Sequence, residues 1–344
     1  MIDFRYHLVS IVAVFLALAI GIIVGVTALQ PSTLKALDKT SKSLERQINS
    51  VQASNGNLKR QITNDNAFAQ AGSGLLLDHL LTGKQVIIVT APGADSATVS
   101  GITGALRQAG ADVTGQVALQ QAFFVTAAST QSNLDALAQQ LVPPGVSLGG
   151  EGTQANANPQ IAGQQQAAQV IAAALVTKDG PGVDASKSKQ ILAGFAQHGF
   201  LGVSTPSLAP ATLAVVVIPG SPPAGGDSDP ANLALLSLAA QLDTTGQGAV
   251  LAGSQPGSGP GSAIDEVSGG GSGIQLSSVD NANTEIGQIM VAQALSLRLS
   301  GHQAASYGIG PAAVPSPAPT PSLAPSSAAA ITRPARAAAA RARR

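Results

Sequence analysis

The sequence predicts an α/β protein with an amino-terminal transmembrane helix and a coiled coil, then a layered domain on a mainly parallel sheet, then a disordered tail. Three observations carry this. An uncharged apolar run opens the chain, an apolar heptad repeat follows it, and from Gly83 onward short β-branched runs alternate with helical stretches and turn residues. The expected boundaries are 1–30 for the anchor, 31–72 for the coiled coil, 83–310 for the α/β domain and 311–344 for the tail.

The anchor is Leu8 to Leu29, LVSIVAVFLALAIGIIVGVTAL, which carries no charge and only Ser10 and Thr27 as polar side chains. As a helix it is about 33 Å long, enough to cross a hydrocarbon layer of about 30 Å. A cleaved signal peptide is the competing reading, because Val26-Thr27-Ala28 forms a small-residue cleavage site. Against it, the run exceeds the roughly 7–15 residues of a usual signal core, and the segment before it holds a single Arg. The run therefore reads as an uncleaved single-pass anchor. Orientation is contested: Lys35, Lys39, Lys42 and Arg46 follow the helix whereas only Arg5 precedes it. The positive-inside rule taken alone would put the large domain in the cytoplasm.

After Pro31 and Ser32, heptad positions a and d fall on Leu34, Leu37, Ser41, Leu44, Ile48, Val51, Asn55, Leu58, Ile62, Asp65 and Ala69. Eight of these eleven are apolar, over more than four heptads, which is the pattern of a self-associating coiled coil. Asn55 stands at an a position, where a buried amide fixes register at some cost in stability. Gly56 beside it weakens the helix by about 1 kcal/mol relative to Ala. The alternative is one amphipathic helix lying on the following domain. The residues expected to hold copies together are Leu34, Leu37, Leu44, Ile48, Val51, Asn55, Leu58 and Ile62, in a parallel homo-oligomer.

In the α/β domain a first strand is expected at Val86–Thr90, then a helix up to Gln108 stopped by Ala109-Gly110. A second strand fits Asp112–Leu119, and a helix fits Ser132–Val142 before Pro143-Pro144. Helices follow at Ile161–Val176 and Ser188–Gln197. The clearest unit lies in Thr212–Ser254, where LAVVVIPG, ANLALLSLAAQLD and GAVLAGS read as strand, helix and strand. A short strand near Gln275–Val279 precedes the helix Thr284–Leu299, ended by Ser300-Gly301. Near-continuous apolar strands between helices imply a parallel sheet covered on both faces, as in flavodoxin-like or Rossmann-like layers.

The tail carries seven Pro, many Ala and Ser, and five Arg without an acid, a composition that cannot bury enough surface to order itself. It also explains the charge. The 344 residues hold 18 Lys+Arg and 18 Asp+Glu, only 10% charged, yet removing the tail's five Arg leaves 13 basic against 18 acidic residues, a net −5. That balance excludes a basic nucleic-acid binder as a whole-chain reading. Cysteine is absent, which excludes disulfides, thiolate metal sites and thiol nucleophiles.

No catalytic, cofactor or metal site is assigned. Ala91-Pro92-Gly93-Ala94 lacks the G-x-G-x-x-G spacing, and neither a P-loop nor a G-x-S-x-G elbow occurs. Asp265-Glu266, in a Gly-rich stretch, is expected to face water, and Asp227 and Asp229 to cap the helix after Pro230. The histidines His7, His79, His198 and His302 stand at no ligand spacing and remain unassigned. His7 is expected among lipid head groups and His302 at a helix C-terminus.

Two stretches go beyond composition: MIDFRYHLVSIVAVFLALAIGIIVG at the start, and SVDNANTEIGQIMVAQALSLRLSGHQAASYGIG over Ser278–Gly310. Together, and in the order of anchor, coil, α/β domain with VDN and Tyr-Gly-x-Gly ending, they resemble the MctB-type family of bacterial copper transporters, also described as copper-transport outer-membrane proteins. The resemblance covers about residues 1–310. It implies a cell-envelope protein of copper transport, efflux and homeostasis, with copper ions as the transported species; the missing catalytic motifs, for their part, lead to the expectation that the chain is not an enzyme. A transmembrane β-barrel does not fit buried parallel strands between helices. The expectation is therefore a single-pass envelope protein with its large domain outside the cytoplasmic membrane; the competing class is an envelope scaffold or interaction protein with no transport activity of its own.

Overall fold

A computed structural model describes residues 4–149, 158–178, 180, 182–204, 210–220, 230–255, 257–270 and 273–314. The expected tail lies outside the described residues beyond 314, and so do Asp227 and Asp229. Contacts divide the chain into Met1–Ala67 and Phe68–Arg344. Helix α1 runs Phe4–Leu77. Within it, Tyr6–Gly25 is the one stretch among the described residues long and apolar enough to cross a membrane, and none of it is buried.

The second unit is an α/β fold on a seven-stranded sheet. Its strands are β1 (Gln85–Thr90), β2 (Asp112–Leu119), β3 (Leu201–Val203), β4 (Leu213–Val217), β5 (Ala249–Ala252), β6 (Ser277–Val279) and β7 (Ser306–Tyr307). They lie in the order β3-β2-β1-β4-β5-β6-β7. Only β3 is antiparallel to its neighbour. The helices are α2 (Ser96–Gln108), α3 (Ala128–Leu141), α4 (Ala162–Leu175), α5 (Ala185–Gln197), α6 (Pro230–Thr245), α7 (Ala263–Ser268) and α8 (Glu285–Leu299).

Both faces of the central strands are buried, so alternation sorts side chains between two cores. Ile87, Val89, Val216 and Leu251 enter a core shared with α3, α4, α5 and α6. Val86, Ile88, Val215, Val217 and Val250 enter the other, closed by α2, α8, the end of α1 through Ala69 and Leu77, and Leu81 in the turn that follows. This is why β1, β4 and β5 read as continuous apolar runs instead of alternating ones.

Local signals set the helix ends. The Asp95 carboxylate accepts the Thr98 amide at 2.9 Å and its hydroxyl at 2.8 Å, capping α2. Those two bonds, the amide first, hold the Asp95 carboxyl below the usual carboxylate range. Thr284 caps α8 by accepting the Gly287 amide at 3.1 Å. At its other end Gly301 takes φ +80°, with the Gly301 and His302 amides donating to Arg298 and Leu297. That pattern is a Schellman stop, which uses glycine because a Cβ disfavours this φ.

Two short edge strands, β3 and β7, had no counterpart in the sequence reading. The expected solvent-facing pair Asp265-Glu266 is also corrected. Both residues lie in α7, and Glu266 is buried, its Oε1 accepting Asn232 Nδ2 at 3.1 Å. The reason is a cap: Ser262 Oγ accepts the Asp265 amide, while the Asp265 carboxylate accepts the Gly261 amide, which turns a Gly-rich loop into a helix.

Candidate functional site

The heptad residues lie in the first unit, on α1. Leu37, Leu44, Ile48, Val51, Leu58 and Ile62 are each more than half exposed, and Asn55 is exposed with them. The side chain of Leu34 lies outside the description. These positions recur every three and four residues along one helix, so they form one apolar seam with a single amide in it. In the second unit the seam has another use, because Ala69, its last a position, is buried in the core beneath α2 and α8. Among the described residues the stripe from Leu37 to Ile62 is therefore exposed.

The histidines are scattered. His79 is exposed at φ +57°, with Nε2 3.4 Å from the Asp78 carboxylate. His198 sits at the end of α5 with Nδ1 3.0 Å from Gly194 O. His302 is exposed just beyond α8, as expected of a residue at a helix C-terminus, and His7 is exposed on α1. Among the described residues no group of three or more His, Asp or Glu is placed to hold a metal ion.

The sheet reverses its order between β1 and β4, the place where open α/β sheets bind ligands beyond the strand ends. Here the described loop residues approach one another closely. The Gly220 amide donates to Gly93 O at 3.1 Å. Gly257 packs so closely on the Pro219 carbonyl that a Cβ there would overlap it, and a Cβ on Gly253 would come within 2.6 Å of Ile218. Beside them lies a cleft of about 350 Å³ lined by Thr90, Pro92, Gly93, Ser96 and Gln116, with no charged side chain in its wall.

The opposite end of the sheet has a larger hollow of about 900 Å³, bordered by Lys84, Lys178, Asp243, Arg298 and His302. Two of the cations there are engaged. Arg298 makes two bonds to Asp243, at 2.6 and 3.2 Å, and Lys84 Nζ reaches Gln247 Oε1 at 3.3 Å. The hollow also lies at the carboxyl ends of α6 and α8, whose carbonyls repel anions.

The VDN and Tyr-Gly-x-Gly segments meet in space. Asp280, buried just after β6, accepts the Ile309 amide at 2.8 Å and the Gly310 amide at 2.6 Å, while its own amide donates to Tyr307 O at 3.1 Å. Ser258 Oγ donates to Asp280 O at 2.7 Å. A Cβ on Gly308 would overlap the Asp280 carboxylate. The two motifs are therefore one clasp, in which a buried carboxylate ties the last strand to the sheet and glycine is needed for the approach. Burial pushes the Tyr307 phenol above its ordinary pKa, opposed by Arg298.

This juxtaposition brings together two motifs that stand out in the sequence. A family model described as "Copper transport outer membrane protein, MctB" matches residues 1–317. The chain belongs to the MctB family. A Mycobacterium tuberculosis (strain H37Rv) protein named copper transporter MctB is 28% identical over 317 residues, covering 90% of this chain and 97% of that relative. A Mycobacterium leprae (strain TN) protein of the same name is 29% identical over 321 residues, with the same two coverages. The MctB match takes in the apolar span, the seam and the clasp together.

Proposed function

We propose that this chain is a single-pass cell-envelope protein of copper transport and homeostasis. It works as a homo-oligomer joined along the seam of α1, with the α/β domain outside the cytoplasmic membrane. The observation that carries the assembly is the uncovered seam, placed directly after the apolar span. The names of the relatives supply the copper. The physical chemistry of the chain then asks for an oligomer. A single helix has no lumen, the two cores of the domain are built of buried apolar side chains, and no metal-holding cluster occurs among the described residues. A route for a cation would have to be built between copies.

The absence of cysteine and of a ligand cluster among the described residues favours a second reading, an envelope scaffold that supports copper tolerance without moving the ion. Deleting the gene and measuring cell copper under copper stress separates the two. A rise in cell copper supports transport, and an unchanged content removes it. Reporter fusions after Gly310 test the orientation; a cytoplasmic signal would overturn the extracytoplasmic placement and side with the positive-inside rule.

A further inference from the structure

The clasp between β6 and β7 holds more electron-rich oxygen than its hydrogen bonds use. Asp280 is 4% exposed and its carboxylate accepts the Ile309 and Gly310 amides, yet among the described residues it takes part in no ion pair. Amides occupy the lone pairs of a buried carboxylate without cancelling its charge, and buried charges are paired or coordinate a metal. Asn281 beside it is 5% exposed, and its Oδ1 is buried with no hydrogen-bond partner among the described residues. A buried acceptor of this kind calls for a water or an ion. The two side chains converge on one glycine: the point where Gly308 would carry a Cβ lies 3.2 Å from Asn281 Oδ1 and against Asp280 Oδ1. Oxygens that approach one point this closely are near enough to share an ion whose ligands stand about 2.3–2.6 Å from it.

We infer that Asp280 and Asn281 hold a calcium ion at this edge of the sheet. The donors are a carboxylate and an amide oxygen, with no nitrogen or sulfur, a set that suits a hard cation and not copper. With a single acid the site is no cluster of three His, Asp or Glu, and it is a resident structural site separate from any path for cargo. Calcium fits better than magnesium, because it accepts about 6–8 oxygens in a flexible shell, whereas magnesium demands a near-ideal octahedron and gives up water reluctantly. Gly308 and Gly310 are half-buried and Ile309 is exposed, so waters can reach the ion and complete its shell. One charged ligand places the affinity at the weak end of calcium sites, a Kd of about 10⁻⁴ to 10⁻³ M. Bound there, the ion fastens the Tyr-Gly-x-Gly ending to the VDN segment, and this explains why an amide follows the acid.

The test uses the full chain in detergent, stripped of calcium with a chelator, with Ca²⁺ and its luminescent substitute Tb³⁺ as probes. The chain has no Trp and two tyrosines, Tyr6 and Tyr307, so Tb³⁺ excited through tyrosine reports which of them it lies beside. Luminescence is expected, displaced by millimolar Ca²⁺ and by Mg²⁺ only at about tenfold higher concentration. Y307F should abolish it and Y6F should keep it, which puts the ion next to β7. By calorimetry N281A should weaken calcium binding at least about tenfold and N281D should tighten it severalfold, with circular dichroism showing both folded. If N281A does not fold, N281D decides alone. Four results would overturn the inference: Ca²⁺ at 10 mM, about ten times the weakest expected Kd, neither displaces Tb³⁺ nor releases heat; the luminescence survives Y307F; N281A binds calcium as the natural chain does; or N281D binds it no more tightly. An Asn281 amide turned to offer Nδ2 to the Asp280 carboxylate needs no ion and gives the first of these.

Discussion

Substituting Ile48 by Asp places a carboxylate at the middle of the α1 seam, where the account expects copies to meet. Ile48 is 54% exposed on the single chain, so pairing covers about half of what full burial of an isoleucine is worth, roughly 1.3 kcal/mol per copy. In a dimer the change removes about 2.6 kcal/mol of apolar burial from the two copies. It also leaves two facing carboxylates, whose repulsion and desolvation add roughly 2–3 kcal/mol at partly wetted sites. A loss of about 5 kcal/mol weakens association by more than a thousandfold. Sedimentation velocity of the full chain in detergent at tens of micromolar should show an oligomer for the natural sequence and a monomer for I48D. Asn49→Asp, at the b position on the outside, should leave assembly intact. An I48D chain that sediments as the natural one does, or a natural chain that is already monomeric, would refute the seam.

Three further outcomes test the domain. Asp280→Asn replaces a buried carboxylate that accepts two amides, and should cost about 2–4 kcal/mol, seen as a fall of roughly 4–16 °C in the midpoint of thermal unfolding. Arg298→Ala leaves the Asp243 carboxylate, whose side chain is only 9% exposed, without its counter-ion, and should cost about 3–5 kcal/mol by denaturant titration, against little change for an exposed cation such as Lys189→Ala. Burial raises the Tyr307 pKa, so the folded state favours the neutral phenol; that stability is complete below about pH 10 and is lost as pH rises through the folded value. Unfolding titrations from pH 8 to 11 should show this alkaline loss, and Tyr307→Phe should reduce it.

How far the sequence speaks depends on how local each signal is. The runs Val86–Thr90, Leu213–Val217 and Ala249–Ala252 are legible because both faces of these strands are buried and every position is apolar or β-branched. The stop at Ala109-Gly110 is legible because the turn it forms is made by neighbouring residues. By contrast β3 spans three residues and β7 two, and each exists only through pairing with a strand far away in the chain. The burial of Glu266 depends on Asn232, 34 residues earlier, although Ser262 and Asp265 already spell a helix start. The clasp follows the same rule. The VDN and Tyr-Gly-x-Gly residues stand out in the sequence, but nothing near Asp280 shows that its carboxylate holds amides 29 and 30 residues on. The seam is legible from periodicity, since spacing alone puts Leu37 to Ile62 on one face, while their exposure had to come from the structure.

The central claim joins assembly to copper, and one measurement addresses both: copper content of a gene-deletion strain under copper stress, complemented by the natural sequence or by I48D at equal protein level. Copper should be raised in the deletion strain, restored by the natural sequence and not by I48D. Copper unchanged by the deletion, or restored equally by I48D, would contradict it.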